Sequence, residues 1–219
     1  MNSSTKVIIV DDHVLFRDGM KLLIETEGMG KVIAEAKNGQ EFLDLLKEHK
    51  PDLVLMDIEM PVMDGVEATI KALSIRPELK ILALTMYSQK ENYIDMINAG
   101  AMGFVLKTSG KQDLEKAIKT VIGGESFFSN DLLRKIIVNF VKQPENQVSS
   151  SFVNLEFSER ELEILQYLCK GLTACEIADK IYRSVKTIEA HRSKLFQKTD
   201  TKNTINLVLF AIKNKLVEI

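Results

Sequence analysis

Reactive side chains follow four short apolar runs in the first 107 residues. Asp11 and Asp12 follow "KVIIV", and Asp57 follows "LVLM". Thr85 ends "ILALT" and Lys107 ends "GFVLK". Carboxylates that converge repel one another and require a cation, and a site with oxygen ligands suits Mg²⁺. A phosphoryl group has three anionic oxygens, which a metal ion, an ammonium group and a hydroxyl group can bind together. The pattern therefore predicts a carboxylate nucleophile, Asp57, that forms an acyl phosphate.

These residues need a scaffold that brings the ends of several strands together. The apolar runs at 6–10, 31–36, 52–56, 80–85 and 103–107 are typical of five strands, and stretches with helical periodicity separate them. Such an alternation predicts a parallel sheet covered by helices on both faces. In open sheets of this kind, functional groups gather beyond the carboxyl ends of the strands. A bland alternative is that each strand-end Asp merely caps a helix, but five suitable residues on successive strands make that interpretation weak.

The sequence changes character after residue 123. The stretch "GGESFFSNDLLRKIIVNFVKQ" predicts a helix capped by Ser129 or Asn130, and "QPENQVSSS" has the composition of a flexible linker. From residue 154 the periodicity is helical throughout. We therefore predict three segments: a first domain (1–123), a linker helix with a flexible linker (124–153), and an all-α domain (154–219).

Helix starts recur through the last segment. The stretches "SERE" and "TACE" match the capping-box pattern, Ser184 can cap a further helix over 185–198, and Gly171 stands where a helix must end. Two short helices joined by a turn at Tyr182 and Arg183 predict a helix-turn-helix motif. The predicted apolar core comprises Leu162, Leu165, Leu168, Ile177, Ile181, Ile188 and Leu195.

The second helix of that motif presents a polar face. The net charge is −4 over residues 1–123 and +2 over residues 154–219, so the two ends suit different partners. One face of the helix carries Lys186, Glu189, Ala190, Ser193 and Gln197, flanked by Arg192, Lys194 and Lys198. This arrangement suits insertion into the major groove of DNA with cations beside phosphates. Charge alone leaves open a solvated basic face on an ordinary helical bundle.

The motifs "IIVDDH", "LVLMDIEMPVMDG", "ILALTMY" and "AGAMGFVLK" resemble those of bacterial response-regulator receiver domains. The resemblance covers residues 5–123 and implies a flavodoxin-like fold. It also implies that a sensor histidine kinase phosphorylates Asp57. The implied Mg²⁺ ligands are Asp12, Asp57 and the backbone carbonyl of Glu59, with Asp11 assisting through water.

The resemblance further assigns a switch to the first domain. Thr85 and Phe104 resemble the pair in which a hydroxyl moves toward the phosphate while an aromatic ring turns inward, and Lys107 resembles the phosphate-binding lysine. Plain core packing of Phe104 remains an alternative. Thr108 stands where many receivers have a proline.

The stretches "SERELEILQYLCKG" and "KTIEAH" resemble the LuxR-type helix-turn-helix over residues 156–216. With the receiver in front, the chain resembles a NarL/FixJ-type response regulator, a transcription factor. The resemblance implies that the last helix supports dimerisation. The residues predicted to contact DNA are Lys186, Thr187, Glu189, Ala190, His191, Arg192, Ser193, Lys194, Lys198 and Lys202.

The chain departs from the LuxR-type pattern at several positions. Ala174 replaces a common Asn, and Arg183 stands where an aliphatic residue is usual. Thr199 in place of Leu removes an apolar contact at the end of the recognition helix, and Thr204 in place of Arg removes a phosphate contact. These departures affect the expected DNA preference and leave the expected fold unchanged.

The predicted function is that of a two-component response regulator whose phosphorylation switches DNA binding and dimerisation. The expected partners are a sensor histidine kinase, double-stranded DNA and a second copy of the chain, with RNA polymerase as a further candidate. The expected chemistry is limited to self-phosphorylation from small phosphodonors and self-dephosphorylation, so the protein is not predicted to be an enzyme. The start "MNSSTKVIIVDDH" lacks a secretory apolar core, and no apolar run is long enough for a membrane span, which predicts a cytoplasmic location without membrane contact.

Two alternatives belong to other functional classes. One is a protein-binding output that responds to phosphorylation without binding DNA. The other is an Asp-nucleophile phosphotransferase, although such enzymes commonly place the nucleophile of a D-x-D motif on the first strand. Here the candidate nucleophile, Asp57, lies on the third strand, and the motif that it begins reads "DIE".

Overall fold

The computed structural model divides the chain into two compact units, with the boundary between Phe128 and Ser129. The structure describes residues 4–86, 92–128, 157–214 and 216–217. The helix predicted after Ser129 or Asn130, and the linker after it, lie outside the described residues. None of the helices in the described part of the chain has the length and apolar character that crossing a bilayer requires.

The first unit is built on a five-stranded parallel sheet, which confirms the prediction from the sequence. The strands are β1 (Lys6–Val10), β2 (Lys31–Ala36), β3 (Leu53–Asp57), β4 (Ile81–Thr85) and β5 (Gly103–Leu106). Their order in the sheet is β2-β1-β3-β4-β5. Because β2 and β3 lie on opposite sides of β1, the strand order reverses there, and the crevice for a functional site opens at that point.

Helices cover both faces of this sheet. They are α1 (Val14–Thr26), α2 (Gly39–Glu48), α3 (Gly65–Ile75), α4 (Asn92–Ala99) and α5 (Lys111–Ile122). All residues of β3 and β4 are buried, as expected for central strands that helices cover on two sides. The buried strands therefore hold the residues at their carboxyl ends in fixed positions.

The second unit consists of four helices in the described residues. They are α6 (Glu159–Cys169), α7 (Ala174–Lys180), α8 (Val185–Thr199) and α9 (Thr204–Lys213). Both predicted capping boxes are present, at the starts of α6 and α7, and the Ser184 hydroxyl caps α8 as predicted. Gly171 has a φ of 80°, a left-handed conformation that ends α6 at little steric cost. Tyr182, in the turn between α7 and α8, has a φ of 53°.

One member of the predicted core of this unit was wrong. Leu162 is half-buried, whereas Ile164 is fully buried and belongs to the core. The inward face of α6 runs through residues 161, 164, 165 and 168, spaced three or four apart, and Leu162 is rotated off it. The other predicted members, Leu165, Leu168, Ile177, Ile181, Ile188 and Leu195, are buried.

Candidate functional site

The reactive residues predicted on successive strands lie together at the carboxyl edge of the sheet. Asp57 is the last residue of β3 and Thr85 the last of β4, and they are 4% and 1% exposed. Asp11 follows β1 directly and is fully buried, whereas the next residue, Asp12, is half-buried. The edge thus forms a pocket that is closed at Asp11 and Asp57 and open to solvent at Asp12.

A single ammonium group joins two of these carboxylates. The Nζ atom of Lys107 lies 2.7 Å from Oδ2 of Asp57 and 2.6 Å from Oδ2 of Asp11. The ring of Phe16 from α1 lies 5.0 Å from the same nitrogen. The backbone N–H of Lys107 donates to the carbonyl of Thr85, which fixes the start of this side chain against β4. Lys107 therefore offsets part of the acidic charge in the pocket.

The surroundings shift the pKa values of both partners. Burial raises the pKa of Asp57 to about 6, and the nearby charge of Asp11 adds to this rise, although the Lys107 ammonium opposes it. Burial alone would lower the pKa of Lys107, but its hydrogen bonds to Asp11 and Asp57 outweigh burial and raise the pKa. Lys107 is therefore cationic near neutral pH, and Asp57 is mostly ionised there.

Two side chains of the α1 region support the acidic residues. His13 Nδ1 lies 2.8 Å from Asp12 Oδ1 and 3.2 Å from Asp11 Oδ1. The guanidinium of Arg17 donates to the backbone carbonyl of Asp11 and lies 3.7 Å from the carboxylate of Glu35. Sequence reasoning missed Arg17, although its position one helical turn after His13 was a usable signal.

The donor set fits a hard divalent cation. One ligand atom from each of Asp11, Asp12, His13 and Asp57 lies within 4.8 Å of the others. Carboxylate oxygens dominate this set, and Mg²⁺ prefers oxygen ligands together with retained water. Glu59, whose carbonyl was predicted to be a further ligand, is exposed two residues after Asp57 and lines a cavity of about 370 Å³ with Asp64. The role of the Glu59 carbonyl stays a prediction.

The loop after Asp57 is shaped by one glycine. A Cβ atom added at Gly65 would lie 2.1 Å from the backbone oxygen of Asp57, so a side chain there cannot fit without moving the backbone. The N–H of Gly65 donates to the carbonyl of Ile58 across the loop. Asp64 caps α3 by accepting a hydrogen bond from the N–H of Glu67. The start of α3 is thereby locked against the end of β3.

The predicted switch pair occupies neighbouring strands. The hydroxyl of Thr85 donates to the carbonyl of Met86 at 3.1 Å. Phe104 on β5 is 5% exposed, and its ring meets the ring of Tyr93 edge to face with the centroids 5.4 Å apart. The structure thus places a hydroxyl at the edge of the pocket and an inward-facing aromatic ring on the next strand. Their exchange of positions stays a prediction.

In the second unit, α8 presents the polar face that its periodicity predicted. The residues exposed along it are Lys186, Glu189, Ala190, Ser193, Lys194 and Gln197. Ile188 and Leu195 are fully buried on the opposite face. Thr187 and His191 are half-buried, and Lys202 is exposed just after the helix. Two basic residues differ from the others, because Arg192 is buried and Lys198, although exposed, is bonded inside the unit; the other predicted DNA contacts lie on or beside one accessible surface.

Arg192 is the first of these two residues. It is 5% exposed, and its guanidinium donates to the hydroxyl of Thr204 at 3.1 Å. Its burial disfavours the predicted contact with DNA phosphate. Thr199, predicted to lack an apolar contact, is nevertheless buried, and its hydroxyl donates to the carbonyl of Leu195 at 2.7 Å. Two of the departures from the LuxR-type pattern, Thr199 and Thr204, thus make polar contacts inside this unit.

Lys198 is the second. Its Nζ atom lies 2.6 Å from the carboxylate of Glu161, which is only 5% exposed, and 5.8 Å from the ring centre of Phe157. The same carboxylate accepts the backbone N–H of Ser158 in the capping box of α6. Burial alone would raise the pKa of Glu161, but the bonds from Lys198 and Ser158 hold it below its ordinary value. Lys198 therefore connects α8 to the start of α6.

Comparisons with known proteins agree with this geometry. Residues 7–119 match the family model described as "Response regulator receiver domain". Residues 155–211 match the one described as "Bacterial regulatory proteins, luxR family". The "Oxygen regulatory protein NreC" of Staphylococcus epidermidis is 38% identical to this chain over 216 residues, which cover 97% of the chain and 99% of the relative.

Solved structures give the same result. The chain is similar to the response regulator ChrA of a heme-sensing two-component system, with 27% identity and a TM-score of 0.54. The alignment covers 98% of this chain and 100% of the ChrA chain. A LuxR-family two-component response regulator from an Aurantimonas species covers 64% of this chain and 100% of its own, with 33% identity and a TM-score of 0.59.

Proposed function

Since this chain belongs to the response-regulator family of the NarL/FixJ type and is a transcription factor of a two-component system, we propose that Asp57 accepts the controlling phosphoryl group. The observation that carries this proposal is the contact of a buried carboxylate with a buried ammonium, 2.7 Å from Asp57 to Lys107, at the carboxyl edge of a parallel sheet. A sensor histidine kinase is the proposed donor.

The proposed transfer is a nucleophilic displacement at phosphorus. A carboxylate oxygen of Asp57 forms a bond to phosphorus while the bond from phosphorus to the leaving group breaks, and the leaving group departs with that electron pair. The leaving group is the imidazole nitrogen of the kinase or the acetate of acetyl phosphate. Because the pKa of Asp57 is about 6, this carboxylate is mostly ionised at neutral pH and available as the nucleophile.

The residues around Asp57 have separate proposed roles. Lys107 stays protonated and pairs with a phosphoryl oxygen, and Thr85 offers its hydroxyl to another. Asp11, Asp12 and Asp57 would hold Mg²⁺, with the Glu59 carbonyl as a further ligand. When bound, this ion would neutralise charge that develops on the phosphoryl oxygens. Arg17 and His13 keep the acidic side chains in place for these tasks.

Control of transcription requires the second unit to bind DNA. We propose that the exposed face of α8 enters the major groove as a recognition helix. Lys186, Lys194 and Lys202 are the proposed phosphate contacts, and Glu189 and Ser193 face the bases. A homodimer of the phosphorylated protein would bind two half-sites. Arg192 and Lys198, which have partners inside the unit, are proposed to hold α8 in position.

The proposal is tested by labelling the whole chain with acetyl phosphate and Mg²⁺, then separating phosphorylated from unphosphorylated protein on an affinity gel. Asp57→Asn should remove the labelled species, and omission of Mg²⁺ from the unsubstituted chain should do the same. Asp64→Asn is the matched control, because it alters a carboxylate of the same loop and Asn also caps helices well. Labelling of Asp57→Asn at the level of the control would refute the assignment.

The output is tested by selecting DNA from a random duplex pool with the phosphorylated and unphosphorylated chain. The phosphorylated protein should enrich a sequence with two related half-sites. Equal enrichment in both states would contradict control by Asp57, and no enrichment in either state would contradict the proposed DNA contacts.

A further inference from the structure

The chain that follows α5 returns to the sheet before it leaves the first unit. The helix ends at Ile122 with Gly123 as its C-cap, and Gly124 reverses the chain with a φ of 86°. Phe127 then pairs with β5 in parallel: its N–H donates to the carbonyl of Met102, and its carbonyl accepts the N–H of Phe104 at 2.9 Å. The residues 125–128, here called the return segment, therefore lie along the outer edge of β5.

The first residue of β5 has a shape that admits this segment. A Cβ atom added at Gly103 would lie 2.5 Å from the backbone oxygen of Phe127 and 3.1 Å from its Cβ atom. Any larger residue would push the return segment away from the strand. The side chain of Phe127 packs against the core beside β5, which anchors the segment from the other side. The contact is thus part of the fold of the first unit.

The next residue of the return segment meets the switch. The ring of Phe128 lies 5.6 Å from the ring of Phe104, and Phe104 also meets Tyr93 of α4. Phe104 is therefore held between two aromatic rings, one on a helix of the receiver and one on the chain that continues toward the second unit.

We propose that Phe128 is a positioning residue that couples the state of the phosphorylation site to the chain leading to the DNA-binding unit. This inference rests on the proposed function, because it concerns how phosphorylation of Asp57 is transmitted. The ring of Phe128 packs on Phe104, so a movement of Phe104 changes the surface on which Phe128 rests. Because Phe127 is fixed by two backbone hydrogen bonds, Phe128 responds by a change of its side chain or of the chain after it.

Two observations make Phe128 a better candidate than the other residues of the return segment. It is covalently next to Ser129, where the second unit begins, so its displacement is passed directly along the backbone. Its ring also meets the ring of Phe104, whereas Phe127 is tied to the strand by two backbone hydrogen bonds and packs on the core. The coupling needs two arrangements of packed rings that phosphorylation biases differently.

The experiment uses the full chain and compares four substitutions with the unsubstituted protein. Phe128→Ala removes the ring, and Phe128→Tyr retains it. Phe127→Leu is the matched control, because it changes the neighbouring ring but retains an apolar side chain on the core. Gly103→Ala pushes the return segment away from β5 without altering either ring of the pair.

Two quantities are measured for each protein. The first is the extent of phosphorylation by acetyl phosphate with Mg²⁺, which reports on the Asp57 site. The second is the ratio of DNA affinities with and without phosphorylation, on a duplex selected with the phosphorylated unsubstituted chain. Allosteric couplings are commonly about 5- to 150-fold, and this is the range expected for the unsubstituted ratio.

Phe128→Ala should be phosphorylated as fully as the unsubstituted chain, while its affinity ratio should fall toward one. Gly103→Ala should show the same loss, whereas Phe128→Tyr and Phe127→Leu should keep the ratio. A purely structural role of Phe128 would lower the thermal stability of the first unit without changing the ratio. An unchanged affinity ratio in Phe128→Ala would therefore overturn this inference and leave the proposed function standing.

The proposed function fails in a different way. If the unsubstituted chain is not labelled on Asp57, or if its DNA affinity does not respond to labelling, then the proposed function is refuted and this inference with it. A fluorine probe gives a direct check on the mechanism. Fluorophenylalanine incorporated at position 128 should shift its NMR signal when beryllofluoride loads the Asp57 site, and an unchanged signal in the loaded protein would also overturn the inference.

Discussion

Lys198 and Lys194 are four residues apart on α8, yet their surroundings differ, and this difference gives a quantitative test. Lys194 is exposed on the proposed DNA-binding face. Lys198 is bonded to the buried carboxylate of Glu161 at 2.6 Å. We expect Lys198→Met to reduce the stability of the second unit, and Lys194→Met to reduce its affinity for DNA.

The size of the first effect follows from the burial of the pair. Hydrogen bonds to charged groups are worth about 1.5–3 kcal/mol, and a buried charged group left without its partner costs a similar amount. Glu161 is 5% exposed, but the Lys198 side chain is 37% exposed, so water screens part of the attraction. The Ser158 N–H also remains bonded to Glu161 after the substitution. We therefore expect a loss of about 1–2 kcal/mol in the free energy of unfolding.

Amide hydrogen exchange measured by mass spectrometry resolves this loss within the full chain. A loss of about 1–2 kcal/mol should increase the population of the open state, and hence the exchange rates of α6 and α8, roughly 5- to 30-fold. The helices of the first unit should exchange as before, which provides an internal control. Lys194→Met should leave the exchange of both units unchanged.

DNA binding should be affected by Lys194→Met and not by Lys198→Met, the reverse of the effects on stability. Removal of one phosphate contact should reduce the slope of log affinity against log salt by about one. We expect this change for Lys194→Met and no change for Lys198→Met at temperatures where the unit is folded. A reduced salt slope for Lys198→Met together with unchanged exchange rates would refute the structural role of Lys198.

Two further predictions concern the ion pair of Glu161 with Lys198 and the pocket around Asp57. Glu161 has a pKa below its ordinary value in the folded protein, so its contribution to stability is present above the unfolded pKa and is lost as the pH falls through the folded one. Thermal unfolding of the second unit should therefore shift to lower temperature between pH 5 and pH 3, and Glu161→Gln should flatten that shift. An unaltered shift in Glu161→Gln would contradict the assignment. Gly65→Ala should destabilise the first unit by about 1–3 kcal/mol and reduce labelling of Asp57, because its methyl group meets the Asp57 backbone. Gly19→Ala is the control, because the added Cβ atom at this position in α1 has open space around it. Denaturant unfolding and labelling assays should show that this variant retains the stability and the Asp57 labelling of the unsubstituted chain. An equal loss in both variants would argue against the close contact at Gly65.

The sequence predicted the sheet and the convergence of its reactive residues because both depend on local patterns. Each strand is a short apolar run with turn residues at its ends, and the observed strands begin and end within one residue of the predicted runs. Parallel strands that alternate with helices must bring their carboxyl ends to one edge. Asp11, Asp57, Thr85 and Lys107 therefore meet, although they are far apart in the chain.

Contacts between distant segments explain what the sequence could not predict. The helical period predicted Lys198 beside the DNA-binding face. Its bond to Glu161 could not be predicted, because Glu161 lies 37 residues earlier and no local pattern connects the two residues. Arg192 was expected at the surface for the same reason, although packing against the start of α9 buries it. The contact of Phe128 with Phe104 is likewise invisible in a sequence where "GGESFF" has the appearance of a linker.

The return segment also determines where the receiver can be cut from the rest of the chain. A fragment that ends at residue 123 would uncover the N–H of Phe104 and the carbonyl of Met102, since both are bonded to Phe127. Unpaired groups along an edge strand are a template on which another chain can add, which leads to aggregation. A fragment that ends at residue 128 keeps this edge covered.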